Sequence, residues 1–280
     1  MKKTCDLHTH STFSDGTYTP TELIDAAARM GLASVALCDH NTVDGLTEFL
    51  NAAKGENIDA IAGAEFSVDY NGTELHLLGL FIPENQFGKI SELMVDVNER
   101  KRQSNINLIA SLNEAGYEID YEQIKSSTPK GNFNRAHVAE ELTRKGYTES
   151  KDQAFKTLLD SKAGYYKEPE RLGFFEMIGF IKSIGAVPVL AHPFLNLNEE
   201  ELEVLLPRAK EKGLAGMECY YSTYSEDVTQ KALSLAEKYG LMFSGGSDFH
   251  GERKPDIELG VGKGNLKIPY EWSVALKSAE

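Results

Sequence analysis

Residues 4–10 read Thr-Cys-Asp-Leu-His-Thr-His, a short run that closes on two histidines, His8 and His10. Its length and its apolar and β-branched side chains favour a strand. Side chains two positions apart in a strand point to the same side, so His8 and His10 can bind one metal ion together. The stretch therefore predicts a strand with metal-binding groups at its C-terminal end.

The alternation of strand and helix continues along the chain. Strands are predicted near residues 4, 33, 60, 75, 186, 214 and 241, with helical patterns between most of them. This order predicts a mainly parallel sheet with helices outside, in the form of a seven-stranded α/β barrel. After Gly88 the spacing becomes helical without strand signals, so we expect one small all-α insertion. The predicted domains are residues 1–98 with 168–280 for the barrel and residues 99–167 for the insertion.

Composition narrows the class of protein. The chain has 280 residues, 41% hydrophobic and 26% charged, which fits one folded barrel with an insertion. No apolar run reaches the ~20 residues of a membrane span and no signal-peptide pattern follows Met1, so we expect a cytoplasmic protein without membrane contact. The net charge of −14 and the lack of a basic stripe disfavour duplex DNA as a partner. Bound divalent cations would still suit a small phosphorylated substrate.

Six of the seven histidines fall at or near the ends of predicted strands, where α/β barrels gather their catalytic groups. Three carboxylates occupy similar positions. The whole set is His8, His10, Asp15, His40, Glu65, His76, His192, Asp248 and His250. Neutral imidazole suits zinc, manganese or iron, and carboxylates add charge and can bridge two ions. The set therefore predicts a centre for several divalent metal ions.

Each of these residues also has an ordinary explanation. A lone His-x-His pattern is weak, Asp15 before Gly16 suits a turn, and Glu65 alone suits a buried ion pair. His76 can be a paired histidine inside its strand, and His192 before a proline can simply end one. The coincidence of all these residues on one face of the predicted barrel favours the metal centre.

The motifs resemble those of the PHP family, named for polymerase and histidinol phosphatase. The matching segments are His8-Thr9-His10, Ser14-Asp15-Gly16, Asp39-His40-Asn41, Gly63-Ala64-Glu65, His76, Ala191-His192-Pro193 and Ser247-Asp248-Phe249-His250, which span nearly the whole chain. The resemblance implies a distorted TIM-like (β/α)7 barrel and three divalent metal ions. By that likeness the first ion is held by His8, His10, Glu65 and Asp248, the second by Asp15, His40 and His250, and the third by Glu65, His76 and His192, with Glu65 bridging.

The predicted insertion carries a second motif, Asn134-Arg135-Ala136-His137-Val138-Ala139. It places Arg135 and His137 at the start of a helix, where backbone amides favour anions and a guanidinium suits phosphate oxygens. A surface arginine and a capping histidine are the plain alternative. The segment is similar to the Arg-x-His motif of the PHP subfamily with an inserted helical domain, which includes nucleotide phosphatases. That likeness implies phosphate contacts for both residues, and Ala136 stands where proline is common.

Three further residues follow where the chain returns to the barrel. Tyr165 and Tyr166 can stack on a nucleotide base, and Lys167 can contact phosphate. All three can equally pack the hinge of the insertion, so the sequence leaves their role open.

These features predict phosphate-ester hydrolysis by a metal-activated hydroxide, because metal ions lower the pKa of bound water to about 7 and neutralise phosphoryl oxygens. Arg135 would hold phosphoryl oxygens, and His137 would bind phosphate or protonate the leaving group. The expected substrate is a nucleoside 3',5'-bisphosphate or another mononucleotide. Trimming of short RNA from 5' to 3' and hydrolysis of histidinol phosphate are alternatives.

Two other classes of protein share part of this pattern. A metal-dependent amidohydrolase shares the barrel and the His-x-His opening, but the ending Asp248-Phe249-His250 fits the PHP family better. A non-catalytic PHP module would be expected to have lost ligands, and none of the ligand positions is missing here.

Overall fold

A computed structural model describes residues 3–127 and 133–279, which fall into two compact units. The described residues of Met1–Glu92 and Leu172–Glu280 form the first, and those of Leu93–Arg171 form the second. We call them the barrel unit and the helical unit.

The strands of the barrel unit form one sheet. They are β1 Cys5–Thr9, β2 Ser34–Leu37, β3 Asp59–Tyr70, β4 Thr73–Leu80, β5 Leu172–Gly173, β6 Val187–Leu190, β7 Gly216–Tyr221 and β8 Met242–Gly246. Their order is β1-β2-β3-β4-β6-β7-β8, with the two-residue β5 paired to β3. The ends of the path meet, because the Asp248 amide donates to the His8 carbonyl at 2.9 Å and the His10 amide donates to the Phe249 carbonyl at 2.9 Å. The sheet is thus a nearly closed barrel, and the predicted α/β barrel is confirmed.

One strand departs from the parallel arrangement. β4 runs antiparallel to both β3 and β6, whereas β1–β2–β3 and β6–β7–β8 pair in parallel. The cause is local: Asn71 and Gly72 both have positive φ, 53° and 83°, which forms a tight two-residue hairpin in place of a crossover helix. Because β4 is reversed, its first half lies beside the second half of β3, and His76 pairs with Ser67. His76 therefore reaches the same edge of the barrel as residues that follow parallel strands.

The α-helices are α1 Pro20–Arg29, α2 Leu46–Ala52, α3 Phe87–Glu114, α4 Tyr121–Ser127, α5 Arg135–Arg144, α6 Lys151–Ala154, α7 Phe174–Ser183, α8 Glu199–Lys212, α9 Glu226–Lys238 and α10 Tyr270–Lys277. The residues at the ends of these helices are types that favour helix termini. In α1, Thr19 and Glu22 form a capping box and Pro20 occupies the first turn. α8 begins at a capping box of Asn198 with Glu201 and ends at Gly213, whose φ is 103°.

Each unit has its own apolar core. In the barrel unit, side chains such as Leu7, Leu78 and Val189 are fully buried in one cluster. In the helical unit, Leu112, Leu142 and other side chains of the helices form a second cluster. In residues 93–127 and 133–171 every regular element is helical, which confirms the all-α insertion. None of the helices in the described parts of the chain has the length and apolar character needed to cross a bilayer.

Candidate metal centre and phosphate-binding helix

The nine predicted metal ligands come together at one end of the barrel unit. Their names are His8, His10, Asp15, His40, Glu65, His76, His192, Asp248 and His250, and all of them are buried or half-buried. Most stand at or after the carboxyl ends of strands. We call these nine residues the histidine–carboxylate cluster.

Backbone pairing explains why distant segments meet there. His40 follows β2 and bridges to Glu65 of β3, and the Asn41 amide donates to the Glu65 carbonyl at 2.8 Å. His192 follows β6 beside His76, because the Ala191 amide donates to the His76 carbonyl at 3.0 Å. Backbone pairing with the sheet therefore positions His40, Glu65, His76 and His192.

Glu65 is the centre of the cluster and is fully buried. Its two carboxylate oxygens face different groups of histidines. One oxygen, Oε2, lies 2.9 Å from His40 Nδ1 and 3.3 Å from Nε2 of both His8 and His10. The other, Oε1, lies 2.7 Å from His76 Nδ1 and 3.0 Å from His192 Nε2. This arrangement suits a carboxylate that bridges two ions.

The other two carboxylates flank the same histidines. Asp248 Oδ1 lies 3.2 Å from His10 Nε2 and 3.4 Å from His250 Nδ1. Asp15 Oδ1 lies 3.1 Å from His250 Nε2 and 3.7 Å from His40 Nε2. Each of these two carboxylates therefore lies between two imidazole rings.

Four overlapping groups of side chains offer ligand atoms that lie within 4.8 Å of one another. They are His10 with Asp15, His40 and His250; His8 with His10 and Glu65; His40 with Glu65 and His76; and His8 with His192 and Glu218. Two ligands of a tetrahedral zinc ion, each at about 2.0–2.1 Å, lie about 3.3 Å apart. The 3.1 Å between His8 Nε2 and His10 Nε2 is close to that spacing. The mixed nitrogen and oxygen donors fit zinc, manganese or iron.

The cluster itself holds several groups in the protonation state that binds metal. Although burial opposes ionisation, His76 and His40 keep the pKa of Glu65 well below its usual value. Burial and the neighbouring His250 lower the pKa of the His10 imidazole well below its usual value. In the other direction, Glu65 outweighs burial and raises the pKa of His76 to about 10. A metal ion that bound His76 would have to displace that proton.

Strained backbone also concentrates here. Three of the residues with positive φ other than glycine are at the cluster: Asn41 at 51°, His192 at 26° and Asp248 at 55°. Such conformations persist where surrounding contacts hold them, and they gather at functional sites. Two of the three, His192 and Asp248, belong to the cluster, and the Asn41 side chain accepts from the Ser67 amide beside it.

Three residues around the cluster were not predicted from the sequence. Glu218 in β7 is fully buried, and its Oε1 lies 3.1 Å from His8 Nδ1. The Tyr221 hydroxyl donates to Asp248 Oδ2 at 2.8 Å, and the Lys254 ammonium donates to the same oxygen at 2.6 Å. A glutamate inside an apolar strand was a readable signal for Glu218, of the kind that identified Glu65. Tyr221 and Lys254 carry no such signal.

The helical unit holds the second predicted motif at the start of α5. The Arg135 guanidinium lies 4.2 Å above the ring centre of Tyr166, and its Nη1 donates to the Leu159 carbonyl at 3.1 Å. Stacking and this hydrogen bond fix the plane of the guanidinium. Tyr166 is therefore the aromatic partner of Arg135, a contact that the sequence did not predict.

His137 is buried in the first turn of α5. It completes a capping box, because its Nδ1 accepts from the Asn134 amide at 3.1 Å while the Asn134 side chain accepts from a backbone amide of α5. A neutral imidazole that accepts at Nδ1 carries its proton on Nε2. His137 is then an N–H donor at Nε2, as a phosphate contact requires.

Tyr165 and Lys167 lie on either side of Tyr166. Tyr165 is half-buried and packs against the core of the helical unit, with its ring 6.3 Å from that of Tyr117. Lys167 is exposed, and its carbonyl accepts from the Ser104 hydroxyl at 2.5 Å. These contacts agree with the packing alternative for Tyr165 and leave the Lys167 side chain on the surface.

Known proteins share this sequence pattern over most of the chain. The profile of the PHP domain matches residues 6–184. A 5'-3' exoribonuclease of Haemophilus influenzae is 32% identical, over 89% of this chain and 91% of that protein. A 3',5'-nucleoside bisphosphate phosphatase of Chromobacterium violaceum is 32% identical over 90% of each. A phosphoribosyl 1,2-cyclic phosphate 1,2-diphosphodiesterase of Eggerthella lenta is 29% identical, over 91% of this chain and 98% of that protein.

Solved structures show the same fold over almost the full length. A Bifidobacterium adolescentis protein assigned as a metal-dependent phosphoesterase has a TM-score of 0.85 and 25% identity, covering 99% of this chain and 96% of that one. A Chromobacterium violaceum protein described as an amidohydrolase, with bound sulfate and no metal, has a TM-score of 0.84 and 29% identity with the same coverage. The three relatives named above have names that denote cleavage of phosphoester bonds. The chain belongs to the PHP family and is a metal-dependent phosphoester hydrolase with a TIM-like barrel.

Proposed function

We propose that the enzyme hydrolyses a phosphate monoester of a small nucleotide, with a nucleoside 3',5'-bisphosphate or another mononucleotide as substrate. The observation that carries the reaction class is the position of Glu65, whose two oxygens face two different groups of histidines. A carboxylate in that position suits more than one ion, as hydrolysis of a highly charged phosphate requires.

Three divalent ions are the proposed cofactors. In the assignment implied by the family, His8, His10, Glu65 and Asp248 hold the first, Asp15, His40 and His250 the second, and Glu65, His76 and His192 the third. Ligand atoms of His10 lie within 4.8 Å of those of Asp15, His40 and His250, and a ligand atom of His40 lies within 4.8 Å of those of Glu65 and His76. Under this assignment, His10 and His40 would each stand next to two ions. Bound divalent ions lower the pKa of water and neutralise phosphoryl oxygens.

Arg135 and His137 are the proposed phosphate-binding residues. The stacked guanidinium of Arg135 presents a planar set of donors, which suits two oxygens of one phosphate. His137 presents its Nε2–H at the start of α5, where backbone amides already favour an anion. The same proton would serve the leaving oxygen if His137 acts as the general acid. Tyr165 and Lys167 remain further candidates for substrate contact.

Charge and similarity together favour a mononucleotide. The net charge of −14 does not suit a long polyanion, whose binding normally relies on many basic contacts. One relative with 32% identity is named a 3',5'-nucleoside bisphosphate phosphatase. Another with 32% identity is named a 5'-3' exoribonuclease, which makes short RNA the main alternative substrate. Histidinol phosphate ranks lower because the Arg135 and His137 motif resembles the other branch of the family.

A substrate panel tests the proposal. Enzyme reconstituted separately with zinc, manganese and iron is assayed on a nucleoside 3',5'-bisphosphate, a 5'-phosphorylated RNA trimer, a ribose 1,2-cyclic phosphate and histidinol phosphate. We expect the highest kcat/KM on the bisphosphate. A higher kcat/KM on the trimer would identify short RNA as the substrate. Activity on histidinol phosphate alone would contradict the proposed order of substrates.

A further inference from the structure

Glu218 is a buried carboxylate that the proposed metal centre does not use as a ligand. It lies in β7 with no exposed surface, where the pairing of β7 with β8 shifts register between Glu218 and Tyr220. Such a bulge re-aims the side chains on either side of it. As a result, Glu218 and Tyr221, three positions apart, both contact residues of the histidine–carboxylate cluster.

Each oxygen of Glu218 contacts a different histidine of the cluster. Oε1 lies 3.1 Å from Nδ1 of the His8 ring. Oε2 accepts a hydrogen bond of 2.7 Å from the backbone amide of His192. His192 has a φ of 26°, a conformation that side chain-bearing residues rarely adopt, so this bond supports a strained backbone.

The far side of the His8 ring faces the other ligands. His8 Nε2 lies 3.1 Å from His10 Nε2 and 3.3 Å from Glu65 Oε2. A carboxylate can only accept hydrogen bonds, so contact with Glu218 places a proton on Nδ1 of His8. In a metal-bound, neutral ring the lone pair then lies on Nε2, the nitrogen that faces the cluster.

We propose that Glu218 is a positioning residue that aims two ligands at once. It fixes the tautomer and the rotation of the His8 ring through Oε1, and it holds the backbone of His192 through Oε2. Because the proposed centre assigns His8 to the first ion and His192 to the third, one carboxylate couples two metal sites. This inference rests on the proposed metal centre and adds a determinant of its affinity.

The substitution Glu218→Gln tests this role because it keeps the size and shape of the side chain and replaces one acceptor oxygen with a donor nitrogen. An amide has one acceptor oxygen and one donor nitrogen, so it cannot accept from both the His8 ring and the His192 amide. With its nitrogen towards the His192 amide, the glutamine sets donor against donor. With its nitrogen towards His8, it does the same unless the His8 proton moves to Nε2, which would block metal binding there. We expect zinc affinity to fall by about 10- to 100-fold at one or more sites, measured by competition with a chromophoric chelator.

Asp59→Asn is the matched control. Asp59 begins β3 at the opposite end of the strand from the hairpin, is exposed, and accepts from the Tyr270 hydroxyl at 2.6 Å. This variant makes the same change from carboxylate to amide, and we expect wild-type zinc affinity. Circular dichroism and thermal unfolding of the metal-free proteins show whether each variant is folded before affinity is compared.

The outcomes separate this inference from the proposed function. If Glu218→Gln binds zinc as tightly as the wild type, the role of Glu218 is refuted, while the phosphoesterase proposal stands as long as chelation abolishes wild-type activity. If the wild type binds no divalent ion, both fail.

A measurement on the wild type needs no variant of Glu218. In zinc-loaded protein labelled with ¹⁵N-histidine, the His8 resonance should show a proton on Nδ1 and none on Nε2. A His8→Gln sample identifies that resonance. A proton on Nε2 of His8 would refute the inference even if Glu218→Gln fails to fold.

Discussion

The barrel unit and the helical unit build their functional groups in opposite ways. In the barrel unit the ligands come from the ends of many strands and converge on Glu65, which is fully buried. In the helical unit the two candidate residues come from one turn of one helix, and Tyr166, Leu159 and Asn134 hold them in place. The histidine–carboxylate cluster depends on the closure of the whole sheet, whereas Arg135 and His137 depend on a few local contacts.

The contrast indicates a division of labour. A set of side chains that many strands hold in fixed geometry suits metal binding, because the chemistry of a bound ion depends on the number and distance of its ligands. A group at a helix start suits recognition of an anion, because the amide groups supply part of the binding. We therefore expect substitutions in the barrel unit to change metal content and kcat together, and those in the helical unit to leave metal content unchanged.

The largest effect is expected from Glu65→Gln. The substitution removes a negative charge that contacts His8, His10, His40, His76 and His192. We expect loss of at least one ion and a fall in kcat of about 10³-fold or more, because the ions supply several kcal/mol of transition-state stabilisation. Elemental analysis and phosphate release measure the two effects.

Glu203→Gln is the control for this change. Glu203 pairs with Lys238 on the exposed surface of α8, and exposed pairs contribute little. We expect wild-type metal content and activity. Retention of all ions and full activity by Glu65→Gln would contradict the proposed bridging role.

The barrel site was more predictable from sequence than the helical one, for a physical reason. Parallel strands place their carboxyl ends at one edge, so histidines that end several of the strands predict one cluster without knowledge of side-chain packing. His76 reached that edge for a reason the pattern did not contain, since β4 is reversed by the Asn71-Gly72 hairpin. The expectation of a mainly parallel sheet survives with that one exception.

Contacts that depend on long-range packing could not be predicted in the same way. The pairing of Lys254 with Asp248 joins a loop to a strand end, and the stacking of Arg135 on Tyr166 joins α5 to the chain beyond α6. No period or spacing in the sequence specifies such contacts. The bulge of β7, which brings both Glu218 and Tyr221 to the cluster, is likewise invisible in a pattern of alternating residues.

The second prediction concerns His137. His137→Ala should lower kcat by about 100-fold or more if the imidazole protonates the leaving group, without loss of metal. His137→Gln is the matched variant, because glutamine at this position retains the capping box with Asn134 and a hydrogen-bond donor. If phosphate binding is the only role, Gln should recover most of the activity and Ala should not. Unchanged turnover in both variants would exclude His137 from the chemistry.

The third prediction compares two substitutions of Arg135. Arg135→Ala should lower kcat/KM by about 10- to 100-fold, the value of one or two hydrogen bonds to a charged group. Arg135→Lys keeps the charge and loses the planar fork and the stacking on Tyr166, so it should recover only part of the loss. Metal content should equal that of the wild type in both. Loss of metal from the Arg135→Ala variant would contradict the assignment of metal binding to the barrel unit and phosphate recognition to the helical unit.

The smallest effect is expected from Tyr221→Phe. The Tyr221 hydroxyl and the Lys254 ammonium both donate to Asp248 Oδ2, while Oδ1 faces the histidines. Loss of one of two donors should cost about 0.5–1.5 kcal/mol, a roughly 2- to 10-fold decrease in metal affinity.

Tyr224→Phe is the matched control for this last change, because Tyr224 accepts from the Phe194 amide and not from a ligand side chain. If Tyr221→Phe behaves as Tyr224→Phe does, Lys254 alone orients Asp248, and Lys254→Met should then show the full effect. If Tyr221→Phe lowers kcat by 100-fold or more at saturating metal, the hydroxyl contacts the substrate and is part of the chemistry itself. The size of this effect therefore shows how far the functional site of the barrel unit extends beyond its nine predicted ligands.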